Sequence, residues 1–404
     1  MKGQTNKSGN CVVIGGVVEA VRGLLVFIAL RALWENQLGF ISLNIDIVSF
    51  YSTLLFPWFV VYMQLSRYDN NAYLIVVRVL YPAAYLISFF CLVSVLMALK
   101  SGGWGFEALI FACSRSCSLI LFARFGLNQY VLIRTGRGEW LLLIQLLMLA
   151  LSMLIYIVLG SVDGVKSVGA LGVCLLALDF GAAGSSKFLA HHSLGGEVCL
   201  DQYKISFFAA FIKQKTILLY EFLNVVVISL SVLLLMLSTY YASGENREYR
   251  VVIAFMSVLW IVSAKSMGLL LSVPGDVKGA SVVESFLTVL KYTWYVPLIL
   301  VLLAYILYFS GLTDQLFFDI VVGVLYYPFM AAVIAFNSVL RMRQENGLLY
   351  FVNLALLLFY FAPASILIIF DLISLSNVMH VLGVGYVFRL LAPPLYINYA
   401  ERKK

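Results

Sequence analysis

A chain of 404 residues that is 63% hydrophobic and only 12% charged is not a water-soluble globular protein, since soluble domains run near half apolar and a quarter charged. The composition excludes a soluble enzyme, a nucleic-acid-binding domain and a secreted disulfide scaffold. It leaves a polytopic membrane protein with almost no extramembrane domain. A hydrocarbon core takes about 20 apolar residues per helical span, which gives this length room for about a dozen spans.

Continuous apolar runs of that length read as α-helices, because lipid offers the backbone no hydrogen-bond partner. The short alternating segments of a membrane barrel are missing. Twelve spans are expected, roughly at 12–34, 40–66, 74–99, 106–133, 141–161 and 168–189, then at 216–241, 250–273, 292–309, 315–340, 348–374 and 377–399. This divides the chain into an N-terminal six-helix bundle (1–190), a linker (191–215) and a C-terminal six-helix bundle (216–404). The fold class is thus all-α and polytopic, with twelve transmembrane helices in two bundles. Cys11, Cys91, Cys113, Cys117 and Cys174 fall in apolar stretches, where a thiol is a small packing group.

An even number of spans puts both termini on one side, and lysine and arginine mark the cytoplasmic side. The tails and even-numbered loops hold sixteen such residues, among them Lys7, Arg134, Arg137, Lys278, Lys291, Arg341, Arg343 and Arg402, whereas the opposite loops hold four, Lys100, Lys166, Arg247 and Arg250. Both termini are therefore expected in the cytoplasm. The net charge of +7 speaks of this topology more than of a polyanionic partner.

The two halves echo one another. Asp69 and Asp276 lie in turns after spans two and eight, and Arg134 and Arg341 lie after spans four and ten, each pair 207 residues apart. Six spans fit that interval, so the repeats are parallel, an architecture of transporters whose two bundles alternate access to a substrate site.

Leu38-Gly39 followed by a long apolar span and the turn Gln64-Leu65-Ser66-Arg67-Tyr68-Asp69-Asn70-Asn71 resembles the first hairpin of the multidrug/oligosaccharidyl-lipid/polysaccharide exporter superfamily. Phe125-Gly126-Leu127-Asn128-Gln129 ahead of Arg134-Thr135-Gly136-Arg137 is similar to the ending of its fourth helix, and the glycine-rich run 164–172 is similar to its entry into helix six. The resemblance implies a multidrug-exporter (MATE-like) fold. Between branches, Glu221 resembles an important acid of the cation-coupled drug exporters. The compact length, the Ser66–Asn71 turn and the basic residues within spans resemble the O-antigen flippase branch.

Ionisable residues inside a span are costly and are functional hypotheses by default. Arg31, Asp46, Glu107, Asp319 and Asp371 are expected near outer helix ends, and Lys187 near an inner one, where a side chain snorkels to water. The deep group is Arg22, Arg115, Arg124, Asp179, Glu221, Lys265 and Arg389, with three more cations than anions. Glu19 stands three residues before Arg22 on one helix face, within reach of an ion pair. Arg115 and Arg124, nine residues apart, project from opposite faces of a straight helix. Arg389 is free for the site or pairs with Asp179 or Glu221, and those two acids serve either proton or ion coupling or an ion pair. Tyr326, Tyr327 and Pro328 in span ten and Pro363 in span eleven mark bends.

Guanidinium groups stay charged and match phosphate oxygens with a planar fork, and basic pockets select anions in membrane pathways. Arg22, Arg115, Arg124, Lys265 and Arg389 are accordingly expected to line a wet cavity between the bundles that accepts an anionic headgroup. In the flippase branch that headgroup is undecaprenyl diphosphate bearing an oligosaccharide. The resemblance implies a flippase in the bacterial inner membrane, working beside other polysaccharide-assembly proteins, with no cofactor beyond a coupling proton or sodium. The alternatives are a cation-coupled multidrug exporter and a polysaccharide polymerase. A polymerase needs a large external loop, and the longest expected here, about 242–249, is too short. The chain has no G-x-x-x-x-G-K-[ST] phosphate loop.

Overall fold

A computed structural model of the chain describes residues 9–23, 38–66, 69, 71–102, 105–161, 168–194, 208–212, 214–215, 217–223, 249–272, 282–309, 314–343, 346–372, 374, 376–385 and 387. They are helical almost throughout, and among them there is no strand. The chain divides into two compact units, Met1–Leu218 and Leu219–Lys404.

Unit 1 holds α1 (9–23), α2 (Leu38–Thr53), α3 (Phe56–Leu65), α4 (Ala72–Gly102), α5 (Phe106–Arg134), α6 (Gly138–Ser161) and α7 (Val168–Ser193). Next come the helical residues 217–223, labelled α8, of which 217 and 218 belong to unit 1 and the rest to unit 2. Unit 2 continues with α9 (Tyr249–Ser272), α10 (Val282–Thr293), α11 (Tyr295–Phe309), α12 (Asp314–Leu325), α13 (Tyr327–Met342) and α14 (Asn346–Ile369), and then α15 (376–385). Among the described residues, six segments are long and apolar enough to cross a membrane, and the bent pair α10–α11 makes up to seven. The protein is a multi-pass membrane protein.

The helices distribute polarity as lipid demands. On α6 the outward residues Leu143, Leu146, Leu147, Leu154, Ile157 and Val158 are exposed. The buried face, Leu141, Ile144, Gln145, Met148, Ser152, Tyr156 and Leu159, recurs at three- and four-residue intervals and carries the polar groups. A helix apolar all round belongs in lipid or a core. Here the few polar side chains mark the side that faces protein.

Within unit 1, α5 is the hub, packed against α7, α4, α2 and α3. Gly169 and Gly172 let α7 lie close to it. A Cβ on Gly172 would stand 2.8 Å from the Phe111 Cα, and one on Gly169 would stand 2.6 Å from a Glu107 carboxylate oxygen. That Glu107 oxygen accepts the Gly169 amide at 2.9 Å. It thereby satisfies one of the free donors at the start of α7. In unit 2, α13 packs against α10, α9 and α14, while α12 packs against α11 and α9.

Element starts repeat between the units. Phe106 opens the 29-residue span Phe106–Arg134, and Asp314, 208 positions later, opens the 29-residue span Asp314–Met342. Gly138 and Asn346, again 208 positions apart, each open a 24-residue helix. The loop motifs repeat at 207, one residue less than the helix starts.

Several spans are broken where a proline stands in the first turn of the following piece, whose backbone N–H groups have no intrahelical acceptor to lose. Pro57 stands in the first turn of α3 and Pro328 in that of α13. The interruption at Tyr326 is the bend expected in span ten, whereas Pro363 lies inside an unbroken α14. Pro297 follows the start of α11, where α10 and α11 meet at 41°. The ninth span expected at 292–309 is therefore preceded by α10. Lys291, expected in a loop, is in the last turn of that helix.

Candidate functional site

The charged interior of unit 1 is assembled from α1, α5, α6 and α7. Arg115 lies about a third of the way along α5, in the stretch Ser114-Arg115-Ser116-Cys117-Ser118. Two of the serines there turn to carbonyls of their own helix, Ser114 donating to the Ile110 oxygen at 2.8 Å and Ser118 to the Arg115 oxygen at 2.7 Å, while Ser116 donates to the Cys91 sulfur at 3.7 Å. The Arg115 Nη1 donates to the Asp179 Oδ2 on α7 at 3.0 Å. Arg115 and Asp179 keep 23% and 22% of their side-chain surface accessible. One oxygen of the carboxylate and one nitrogen of the guanidinium make this bond. The close approach of α7 to α5 at Gly169 and Gly172 brings the two side chains within reach.

Arg22 on α1 joins this group. Its Nη1 is buried and has no hydrogen-bond partner among the described residues. The hydroxyl of Tyr156, on the inward face of α6, is likewise buried without a partner. That hydroxyl lies close enough to Arg115, Arg22 and Asp179 to interact with all three charges. The ion pair expected between Glu19 and Arg22 does not form. Instead Gln145 on α6 donates to the Glu19 Oε2 at 3.0 Å, leaving the other Gln145 amide atom, Oε1, buried and without a partner. The competing amide lies on a neighbouring helix, which helix spacing alone does not reveal.

Arg124 meets a different helix. Its guanidinium carbon stands 5.1 Å from the centroid of the Tyr81 ring on α4, a cation–π arrangement, and its Nε is buried without a partner. Nearby on α5, Asn128 accepts the Tyr73 hydroxyl at 3.1 Å and donates to the Ser186 Oγ at 3.2 Å. Among the described residues, Arg115 alone of the three deep arginines of unit 1 meets a carboxylate.

Unit 2 carries a pair of another kind. The Arg341 Nε and Nη2 donate to the two Glu221 oxygens at 2.6 and 2.7 Å, and Nη1 contacts the Met267 sulfur at 3.3 Å. Each side chain is 1% accessible. Arg341, expected in a loop, is instead buried in the last turn of α13. Its repeat partner Arg134, at the end of α5, donates to the Ser66 carbonyl that closes α3. Asp179 and Glu221 are thus held by Arg115 and Arg341, and Arg389 lies outside the described residues. Lys265 is buried on α9 beside Ser263 and Ser266. Asp319, expected to snorkel at an outer end, is buried, with Gln315 donating to it at 3.2 Å.

No family model matches the sequence, and no curated relative does. Solved structures match over nearly the whole chain. An outward-facing multidrug resistance MATE transporter of the MOP superfamily aligns at 14% identity and TM-score 0.69, covering 99% of this chain and 97% of that one. A MATE structure in the bent conformation aligns at 15% identity and TM-score 0.66, covering 100% and 96%. A MOP superfamily transporter from Pyrococcus furiosus, described as having a binding pocket of reversed polarity that suggests a different function, aligns at 15% identity and TM-score 0.62, covering 99% and 96%. The chain therefore has the MATE fold.

Proposed function

We propose that this protein is a transporter, not an enzyme, and that its cargo is an anionic, phosphate-bearing lipid headgroup. On this reading it is a flippase for undecaprenyl-diphosphate-linked oligosaccharide in the bacterial inner membrane. Both termini are cytoplasmic on this reading, the side toward which lysine and arginine of the expected loops and helix ends are biased. Other polysaccharide-assembly membrane proteins would supply and receive the substrate.

The observation that carries the reading is the excess of cationic groups inside unit 1. Arg22, Arg115 and Arg124 lie in apolar helices with one carboxylate contact among them within the described residues, while Arg124 rests over the Tyr81 ring. Cations left there without a partner cost several kcal/mol (~3 by insertion scales). A fold keeps them when an anion compensates the charge during function. A diphosphate offers several oxygens to two guanidinium groups and a hydroxyl, and phosphate is the ligand that a guanidinium fork fits best. The lipid tail would remain in the bilayer while the head crosses. The Pyrococcus furiosus transporter, whose pocket of reversed polarity suggests a different function, shows that pocket charge varies within this fold.

The fold suits a multidrug exporter equally well, and the likeness to multidrug MATE transporters favours that second reading. Against it stands the state of Glu221. A coupling acid for cations needs access to water and ions, and this one is closed on both oxygens by Arg341.

Arg22→Ala and Arg115→Ala are each expected to abolish export of lipid-linked repeat units in cells while leaving protein level unchanged. Normal export by both variants would refute the assignment.

A further inference from the structure

Two arginine–carboxylate pairs lie among the described helices, and they are built differently. Glu221 and Arg341 share two bonds of 2.6 and 2.7 Å with almost no accessible surface. Asp179 and Arg115 share one bond of 3.0 Å and remain about a fifth accessible. The first is sealed. The second leaves one carboxylate oxygen and most of the guanidinium fork available. Tyr156 on α6, whose buried hydroxyl has no hydrogen-bond partner among the described residues, is within electrostatic reach of Arg115, Asp179 and Arg22, and Arg22 has a buried Nη1 likewise without a partner. Tyr156 is 6% exposed. A structural ion pair gains from satisfying every lone pair and proton around it. This group does not.

We infer that Asp179 is an internal stand-in for phosphate: its carboxylate occupies Arg115 in the empty protein and is displaced when a diphosphate binds to Arg115, Arg22 and Tyr156. The inference rests on the anionic-headgroup reading above and adds to it how the site is held ready and how it lets go. A bare guanidinium at this depth is unfavourable, and the exchange keeps Arg115 compensated both before and after binding. The incoming diphosphate replaces a single bond with a fork and reaches the two unpartnered donors. The released carboxylate has accessible surface on its own side. Competition from Asp179 also lowers affinity, and a transport site has to bind weakly enough to release. Asp179 is therefore a specificity and release residue that acts through Arg115. A cation has no comparable path, since it would find Asp179 already engaged.

The test uses the purified full-length protein and inorganic pyrophosphate as probe, with affinity read by calorimetry. Asp179→Asn removes the competitor and is expected to bind pyrophosphate about tenfold tighter than the wild type, the size of one charge-assisted contact. The double variant Asp179→Asn/Arg115→Gln is expected to show none of that gain over Arg115→Gln alone. A second readout on the wild type is independent of any variant's folding. Modification of Asp179 by dicyclohexylcarbodiimide, quantified by peptide mass spectrometry, is expected to rise several-fold when pyrophosphate is added. Unchanged or weaker binding by folded Asp179→Asn, or labelling that pyrophosphate leaves unchanged or slows, would overturn the exchange while sparing the phosphate reading. Absence of pyrophosphate binding by both wild type and Asp179→Asn would overturn both.

Discussion

Glu221 has both carboxylate oxygens on one guanidinium, and its isolation from water fixes what its loss should do. Breaking a buried pair by removing one partner leaves an uncompensated charge, which typically costs about 3–5 kcal/mol. Glu221→Gln is expected to lower the thermal midpoint of the detergent-purified protein markedly, with pyrophosphate affinity of the folded fraction unchanged. A shift in affinity without loss of stability would show that this acid belongs to the transport site. The presence of Arg115, Asp179 and Glu221 was legible in the sequence because charges in apolar runs stand out. Their partners were not. Whether Arg22 meets Glu19, or Glu19 meets Gln145, depends on how three helices are rotated about their axes, and a single chain encodes that only through packing. Arg341 escaped notice as a buried group because hydropathy does not separate the last turn of a helix from the loop that follows it.

Small residues set where the elements of unit 1 meet. The stripe Gly169, Gly172, Asp179, Ala183, Ser186 and Ala190 on α7 recurs at intervals of three, four and seven residues, so it keeps to one helix face. Its glycine end lies against α5. A side chain at Gly172 meets backbone at the Phe111 Cα, 2.8 Å away, and a backbone cannot swing aside as a flexible side chain does. Gly172→Val is expected to destabilise the protein by about 1–3 kcal/mol, the usual cost of overpacking. It should also weaken pyrophosphate binding by pushing Asp179 and Arg115 out of register, with unfolding and calorimetry on one preparation as the check. A Gly172→Val protein as stable as the wild type and equal in affinity would show that this contact does not set the geometry of the pair. The sequence showed the glycine-rich run as a family likeness, and the structure supplies its reason. The six spans among the described residues were legible from apolar length alone. The breaks at Leu55 and Trp294 were not foreseen, because a proline two or three residues into a new helix leaves the surrounding run as apolar as before.

At the scale of the molecule, the helical class followed from the sequence because membrane spans have a fixed length, and the repeat because its motifs recur at a fixed interval. The element starts separated by 208 residues carry the same message as loop motifs separated by 207. Cargo is another matter, since one fold serves many functions and only the site decides among them. Fold likeness reaches both drug exporters and a transporter of reversed pocket polarity, so the charge of the interior is what separates the readings. The direct measurement is transport by purified protein in liposomes, comparing a fluorescent polyprenyl-diphosphate-linked sugar with a cationic dye. Wild-type protein is expected to translocate the diphosphate lipid and not the dye, and Arg22→Ala and Arg115→Ala are each expected to slow the lipid at least about tenfold, the loss of one charge-assisted contact. Transport of the dye alone, or lipid translocation at the wild-type rate by both arginine variants, would contradict the anionic-headgroup reading.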